Sequence, residues 1–153
     1  MISIRQAVRA DAPAMSAVLI ASITELCAID HHNDPVLLAG WRENKSPERI
    51  AAWFDTPAST LLVAEHEGEI AGVGGYFLAH RNVSLNYVSP GHRFMGVSSA
   101  LLAAIEAGLG PGEARLESTR TARRFYEGRG WQVAGELAPH RGIDGYPMRK
   151  LLN

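Results

Sequence analysis

One stretch of the chain, from Asn86 to Ala107, constrains the fold more than any other. Just before Pro90, apolar residues alternate with polar ones as in a half-buried strand, and they are Val83, Leu85 and Tyr87. Beyond Gly96 the apolar period changes to that of an amphipathic helix, and the stripe consists of Val97, Leu101 and Ile105. The stretch therefore predicts a strand, a loop and a helix in direct succession.

The loop in this unit, residues 93–98, has the features of a phosphate-binding loop. Its backbone N–H groups lie at a helix N-terminus, where they have no partner within the helix and where the helix dipole is positive. Gly96 and Ser98 keep the loop small, and Arg93 adds a positive charge. The alternative is an ordinary strand-to-helix turn that carries a surface arginine.

This loop resembles the acetyl-coenzyme A (acetyl-CoA) binding motif of the GNAT N-acetyltransferase family. In that motif Arg or Gln is followed after two residues by Gly, and after one more residue by Gly or Ala. The matching residues are Val88-Ser89-Pro90, Arg93, Gly96 and Ala100-Leu101-Leu102. Ser98 departs from the last motif position. The resemblance implies that the cofactor is held by Arg93, Phe94, Met95, Gly96, Val97, Ser98 and Ser99.

Composition and charge narrow the class of protein. At 153 residues with a net charge of −1, the chain is expected to form one domain, 1–153, and nothing in it suggests a nucleic-acid partner. Its single cysteine, Cys27, excludes an internal disulfide or a cysteine-based zinc site and suits a reducing compartment. No secretory signal pattern and no bilayer-length apolar run is evident, so we expect a cytoplasmic protein without a membrane partner.

The remaining periodicities give a coarse order of elements. They predict a strand at 2–8, a helix at 11–28, a loop at 27–35, short helices near 37–41 and 46–54, strands at 60–65, 70–78 and 114–118, a helix from 119, and strands at 131–137 and 146–151. Because a helix separates the strands 83–88 and 114–118, these two are expected to be parallel. Three glycines, at 72, 74 and 75, predict a bulge or the close approach of another group.

A second segment also resembles the family, in its strand, helix, Phe-Tyr-Glu and Gly-aromatic pattern. The residues are Leu116-Glu117-Ser118-Thr119, Ala122, Phe125-Tyr126-Glu127 and Gly130-Trp131. Many members carry Asn where this chain has Thr119. Together the two motifs and the element order resemble the GNAT fold. This is a mixed α/β fold in which a mostly antiparallel sheet has two splayed parallel strands and carries helices on both faces.

The resemblance implies roles for three residues in acetyl transfer from acetyl-CoA. Backbone groups of Tyr87 and Val88 would hold the pantetheine arm, with the Val88 N–H facing the thioester oxygen. Tyr126 falls at the position of the general acid that protonates the departing thiolate. Helical spacing predicts that Phe125 enters the core while Tyr126 faces the cleft. The alternative for Tyr126 is a core aromatic residue.

The general base is less sharply indicated by the sequence. The candidates are Glu117, Glu25, Asp30, His31 and His80. Glu117 is the preferred candidate because it lies near the end of the second parallel strand. The alternative to a role as base is that Glu117 forms a structural ion pair with Arg115 or Arg120.

The acceptor side is predicted to include the loop 27–35, packed near the glycine-bearing strand. Its predicted substrate-binding residues are Cys27, Asp30, His31 and Thr119. Cys27 is read as a buried helix residue and not as a nucleophile. A metal site is not expected, since adjacent histidines point different ways and a third ligand is lacking.

The leading functional hypothesis is an acetyl-CoA-dependent N-acetyltransferase that transfers the acetyl group directly to a primary amine. A non-catalytic acyl-CoA sensor of the same fold is the main alternative. A nucleotide-binding module is a weaker one, because the chain lacks the Gly-Lys-Ser/Thr of a P-loop. The acceptor, a small molecule or a peptide, is left open, as is a homodimer, although the acidic stretch 30–34 favours a cationic acceptor.

Overall fold

Eight strands and six α-helices make up the computed structural model, which describes all 153 residues. The strands are β1 (Ile2–Gln6), β2 (Ser59–His66), β3 (Glu69–Phe77), β4 (Asn82–Val88), β5 (Gly112–Ser118), β6 (Gln132–Val133), β7 (Ala138–His140) and β8 (Ile143–Leu152). The helices are α1 (Ala12–Leu26), α2 (Ala28–His31), α3 (Pro35–Arg42), α4 (Pro47–Trp53), α5 (Val97–Leu109) and α6 (Arg123–Glu127).

The strands form one mixed sheet in the order β1-β2-β3-β4-β5-β8-β6, with β7 paired to β8. All neighbours are antiparallel except β4 and β5, which are parallel as predicted. The crossover between them is α5, as a parallel connection requires. This arrangement confirms the predicted fold class.

Helices cover both faces of the sheet and create two hydrophobic clusters. On one face α5 buries Leu101 and Ile105 in a cluster that also holds Trp131. On the other face α1 and α4 bury Leu19 and Ile50 in a second cluster. None of the helices combines the length and the apolar character needed to cross a membrane.

Local interactions fix the start of two helices and one hairpin turn. Asp34 and Ser46 cap α3 and α4, each accepting a hydrogen bond from a backbone N–H in the first helical turn. Glu67 and Gly68 form the β2–β3 turn with φ values of 51° and 81°, the left-handed pair that a two-residue hairpin needs.

Three element predictions are wrong. The segment 27–35 is not only a loop, since it contains α2. The predicted strand 131–137 is reduced to the two residues of β6, because the chain then turns toward β7. Asp11 does not cap α1 with its side chain, since its carboxylate accepts from the Val8 N–H and pairs with Arg5 at 2.8 Å.

The glycines of β3 allow α5 to pack directly on the sheet. A Cβ atom at Gly72 would lie 2.5 Å from a methyl carbon of Val97, and one at Gly74 would lie 3.1 Å from Leu101. Near Gly75 the register of β3 against β4 skips Ser84, which is a β-bulge. The sequence prediction of a bulge and a close approach is therefore confirmed.

The parallel pair β4–β5 separates soon after it starts. Only one registered pair joins the two strands, Asn82 opposite Arg115, and the Arg115 N–H donates to the Arg81 carbonyl at 2.9 Å. Beyond this point the strands diverge, so that the second half of β4 has β3 as its only strand partner. The gap between β4 and β5 is the splay that the resemblance implied.

Candidate active site

The open edge of β4 presents backbone groups that no neighbouring strand satisfies. The Ser89 N–H donates to the Ala71 carbonyl at 2.8 Å, across the side facing β3. Because backbone groups alternate in direction along a strand, the N–H of Val88 faces the gap. By the same alternation the backbone of Tyr87 faces β3, so the prediction that it holds a pantetheine arm is not supported, and Tyr87 reaches the site with its side chain.

A first cavity of about 580 Å³ fills this gap. Its walls come from β4 and β5, from the start of α5, from α6 and from the end of α1. The residues of the phosphate loop that line it are Arg93, Phe94, Gly96, Val97 and Ser98, and Ser99 follows them. Met95 does not line the cavity, which departs from its predicted role.

The start of α5 supplies several hydrogen-bond donors to the first cavity. Gly96, at φ 84°, leads into the helix, and the Ala100 N–H is the first to bond within it, at 3.0 Å to the Gly96 carbonyl. The preceding N–H groups have no helical partner and sit at the positive end of the helix dipole. This end of the cavity suits a negatively charged group.

A second cation at this end was missed by the sequence reasoning. The guanidinium of Arg129 lines the first cavity, donates to the Ser99 hydroxyl at 2.6 Å and stacks on the Phe125 ring at 3.8 Å. Arg129 lies beyond α6 and belongs to no sequence motif. Only the folded structure shows that it lines the same cavity as Arg93. The ring of Phe94 is 92% exposed and lies under the Arg93 guanidinium.

Tyr126 lies in the wall of the first cavity. Its residue is 6% exposed, and its ring packs edge-on against Phe125 and Trp131 at centroid distances of 5.2 and 6.1 Å. Burial raises the pKa of Tyr126 to about 12, with partial compensation by the neighbouring Asn86 amide. The phenol therefore stays protonated at neutral pH. Phe125 is the less buried of the two, so the expectation that it alone enters the core is wrong.

Two residues of this wall, Asn86 and His92, each have a buried polar side-chain atom without a hydrogen-bond partner, and they are Oδ1 and Nδ1 respectively. The Asn86 side-chain nitrogen donates to the Ser98 carbonyl at 3.4 Å, but its oxygen Oδ1 is buried and accepts nothing. Buried polar atoms are rarely left unpaired, and each calls for a bound group or a water. Asn86 thus indicates that a ligand with a donor group fits the first cavity.

Glu117 stands between the first cavity and a second one. The second cavity, of about 780 Å³, lies against β5 and β8 and is closed by the α3–α4 connection and the β7–β8 turn. Glu117, Thr119 and the Tyr87 side chain line both cavities. The alternative of an ion pair fails, because Arg115 pairs with Glu113 at 2.9 Å and Arg120 with Asp144 at 3.3 Å.

The remaining base candidates lie elsewhere. Glu25 and His80 line neither cavity. The buried carboxylate of Asp30 accepts from the N–H groups of Arg120 and Thr121 at 2.7 and 3.1 Å, and it also accepts from the Thr121 hydroxyl. Its contacts fix the turn before α6.

His31 is likewise a structural residue by its contacts. It is fully buried, its Nε2 bonds to the Ile23 carbonyl at 2.8 Å, and its Nδ1 accepts from the Asn33 N–H at 2.9 Å. Neither Asp30 nor His31 lines the first or the second cavity, and of the segment 27–35 only Cys27 borders one of them, the first, so these two cavities do not support the predicted acceptor wall. One wall of the second cavity comes instead from the end of α3 and from the α3–α4 connection, by way of Gly40, Trp41, Asn44 and Lys45.

Cys27 and Thr119 do line cavities. Cys27 borders the first cavity, and burial together with the nearby Asp30 charge raises the pKa of its thiol to about 12. A thiol with this pKa is a poor nucleophile at neutral pH, in agreement with the sequence interpretation. Thr119 borders both cavities, while its hydroxyl accepts from the Ala122 N–H at 3.1 Å and so supports the start of α6.

Comparison with known proteins agrees with this geometry. The model of the acetyltransferase (GNAT) domain family matches residues 27–152. A GCN5-related N-acetyltransferase from Rhodopseudomonas palustris is 21% identical, with a TM-score of 0.86 over 98% of this chain and 95% of that one. The PaiA N-acetyltransferase from Thermoplasma acidophilum, solved with coenzyme A, is 20% identical, with a TM-score of 0.76 over 99% of each chain.

A third solved structure has the same fold. YncA from Salmonella typhimurium, solved with acetyl-CoA, is 18% identical, with a TM-score of 0.71 over 100% of this chain and 95% of that one. Comparison of the sequence with curated proteins gives no match. Because the family model covers most of the chain, the protein belongs to the GNAT acetyltransferase family.

Proposed function

We propose that this protein is an N-acetyltransferase that moves the acetyl group of acetyl-CoA directly to a primary amine. Acetyl-CoA is the cosubstrate of its family. One observation supports this proposal more strongly than any other. The gap between β4 and β5 joins two cavities, and the only carboxylate shared by both, Glu117, has no ionic partner.

The residues of the first cavity fit acetyl-CoA. The N–H groups at the start of α5, with Arg93 and Arg129 beside them, suit the pyrophosphate. The unpaired N–H of Val88 and the orphaned oxygen of Asn86 suit an amide-bearing arm that runs between the strands. Coenzyme A or acetyl-CoA is present in the Thermoplasma and Salmonella relatives, which agrees with this assignment.

The proposed reaction uses two proton carriers on opposite sides of the gap. Glu117 takes a proton from the acceptor's ammonium group, and the neutral amine nitrogen then attacks the thioester carbon. As the carbon–sulfur bond breaks, the thiolate takes the phenolic proton of Tyr126, and the nitrogen of the new amide loses its second proton, which restores the phenol of Tyr126. The Val88 N–H donates to the carbonyl oxygen while negative charge develops there. Glu117 is exposed, so its proton can pass to solvent afterwards.

We also treat residues 1–153 as one catalytic domain. The first cavity takes residues from α1 and from α6, and the second takes residues from the α3–α4 connection and from β8. Both walls of the site therefore depend on parts of the chain that are distant in sequence.

The test is an assay of free thiol released from acetyl-CoA in the presence of a panel of amines. Tyr126→Phe removes only the hydroxyl and should lower kcat by roughly ten- to a thousandfold, with coenzyme A affinity kept. Glu117→Gln should lower kcat, because the carboxylate that takes the ammonium proton is lost. A drop of less than about twofold for Tyr126→Phe, with chemistry shown to be rate-limiting, would remove its role as acid.

One outcome would favour the acyl-CoA sensor instead. If the protein binds acetyl-CoA by calorimetry but no amine of the panel releases thiol, transfer is refuted while the cofactor site stands.

A further inference from the structure

The second cavity contains two opposite charges that form an ion pair neither with each other nor with any other charged side chain. They are the carboxylate of Glu117 and the ammonium of Lys45. Every other lysine, arginine, aspartate or glutamate in the lining has an ionic partner within 4.0 Å, and these are Arg115, Arg141, Asp144 and Arg149. These two charged groups therefore remain available to interact with a ligand in the second cavity.

Lys45 is a buried cation in this wall. Its residue is 8% exposed, and its backbone carbonyl is anchored to α1 by the Ser16 hydroxyl at 2.6 Å. Its Nζ bonds only to neutral oxygens, the Asn44 side chain and the Trp41 carbonyl, the latter at 3.4 Å. A buried ammonium without a counter-charge is costly, so native proteins normally provide one.

The surroundings of Lys45 are cationic. The guanidinium of Arg141, on the β7–β8 turn, lines the same cavity, and its charge together with burial lowers the pKa of Lys45. Arg141 is held in place by the Gly40 carbonyl at 3.1 Å and by the exposed carboxylate of Glu43 at 2.7 Å. This corner of the cavity thus has an excess of positive charge, which an anion from outside would neutralise.

We infer that the acceptor is an amine that also carries an anionic group, a carboxylate or a phosphate. The anionic group binds to Lys45 and Arg141 while the ammonium faces Glu117. The inference rests on the proposed function for the role of the second cavity, and it deepens that function by naming the acceptor class. It also replaces the purely cationic acceptor expected from residues 30–34, because Asp30 is engaged inside the fold.

The cavity is large enough for such a molecule together with its solvent. A volume of about 780 Å³ lies within the range of small-molecule sites. Since opposite charges of the ligand meet opposite charges of the wall, the orientation of the acceptor is fixed, with the amine toward the gap and the anion away from it. An amine lacking the anion would leave Lys45 without a counter-charge and would be oriented by Glu117 alone.

The experiment compares matched pairs of amines that differ only in the anionic group. Each amino acid is tested beside its decarboxylated amine, and phosphoethanolamine beside ethanolamine, so that the carboxylate and phosphate arms are separate. Binding is measured by calorimetry in the presence of coenzyme A, and turnover is measured as thiol released from acetyl-CoA. Variants are Lys45→Met, which replaces the ammonium by an unbranched apolar side chain one atom shorter, and Arg9→Gln, which removes an exposed arginine paired with Asp55 as a control.

We expect the anionic member of at least one pair to bind and react at least tenfold better than its partner. Lys45→Met should weaken only that member, by roughly 10- to 100-fold in Kd and in kcat/KM, because a charge-assisted hydrogen bond is lost. Arg9→Gln should leave both members unchanged. A general loss of stability in Lys45→Met would weaken the binding and turnover of both members of a pair equally. The ratio of their affinities therefore reports only the effect of the lost charge.

Two results would overturn the inference. Either both members of every pair bind equally well, or Lys45→Met leaves the preference intact. Binding without thiol release would instead refute acetyl transfer and leave the acceptor class standing. The two proposals can therefore fail separately.

Discussion

Replacing Gly72 by alanine tests whether the packing of α5 on the sheet sets the shape of the cofactor site. The new Cβ would lie 2.5 Å from a Val97 methyl carbon, 2.9 Å from a Leu101 methyl carbon and 2.9 Å from the Tyr87 carbonyl oxygen. Carbon atoms prefer separations of about 3.5–4.0 Å, so the overlap with Val97 is roughly 1 Å. The carbonyl belongs to the backbone of β4 and cannot rotate away, so the new Cβ cannot escape from Val97 toward β4, and the distance between α5 and the sheet has to increase.

The cost follows from two opposing terms. Overpacking of a core by one methyl group costs about 1–3 kcal/mol, and alanine regains about 0.5–1 kcal/mol because glycine loses more entropy on folding. We expect a net loss of about 1–2 kcal/mol in the free energy of unfolding. For a chain of this size that corresponds to a fall of roughly 2–8 °C in Tm. Because Val97 is the first residue of α5, the donors beside it shift, and the Kd for coenzyme A should rise about tenfold or more.

The assay combines thermal unfolding with calorimetry of coenzyme A binding. Gly74→Ala is one control, since its Cβ would be 3.1 Å from a flexible Leu101 carbon and its neighbours can adjust. Gly40→Ala is a second, because a Cβ there meets nothing within 4 Å and alanine favours the helix. If Gly72→Ala melts within about 1 °C of the wild type, or binds coenzyme A as Gly74→Ala does, the packing argument is refuted.

Three further predictions concern single sites. Gly96→Asp should greatly weaken coenzyme A binding, measured by calorimetry, because it adds a negative charge at the positive end of α5. The control is the neutral Gly96→Asn, which tolerates the φ of 84° equally well and should bind coenzyme A within a few fold of the wild type. Equal losses of affinity would mean that backbone strain and not charge is responsible. Asp30→Ala should lower the free energy of unfolding, measured by urea denaturation, by about 2–4 kcal/mol, because the buried N–H groups of Arg120 and Thr121 lose their acceptor. A variant that stays stable but has a raised KM for the acceptor would contradict this structural role. Burial raises the pKa of Cys27 from 9.0 to about 12, so its contribution to stability is complete below pH 9 and is lost between pH 9 and 12. The difference in unfolding free energy between wild type and Cys27→Ala should therefore shrink by about 2 kcal/mol from about pH 8 to about pH 10.5, and a constant difference would disprove it.

The fold was accessible from sequence because its signals are local. The change of period at Gly96, the turn at Glu67 and Gly68, and the cap at Ser46 each depend on a few neighbouring residues, and the structure has all three. The parallel pairing of β4 and β5 followed from the helix between them. These features need no knowledge of distant contacts.

The second cavity was not accessible in the same way. Lys45 and Arg141 come from a helix connection and a hairpin turn, and neither belongs to a motif. The same holds for Arg129, which follows α6 and lines the first cavity. A polar loop such as 27–35 looks like a binding surface in sequence, yet Asp30 turns inward because the turn at Arg120 offers it two backbone donors. Whether a polar residue binds a ligand or its own fold is decided by contacts far apart in the chain.

The bulge at Ser84 explains how residues of one strand, β4, can line both cavities. Strict alternation would place Val83, Leu85 and Tyr87 on one face of the sheet. In the structure Val83 packs in the cluster under α5, while Leu85 and Tyr87 pack against the cluster under α1, because Ser84 is an extra residue that reverses the alternation. A bulge also bends and twists its strand, which turns β4 away from β5 just after their single registered pair. The bulge thus brings the Tyr87 side chain toward the second cavity and leaves the Val88 N–H free in the gap.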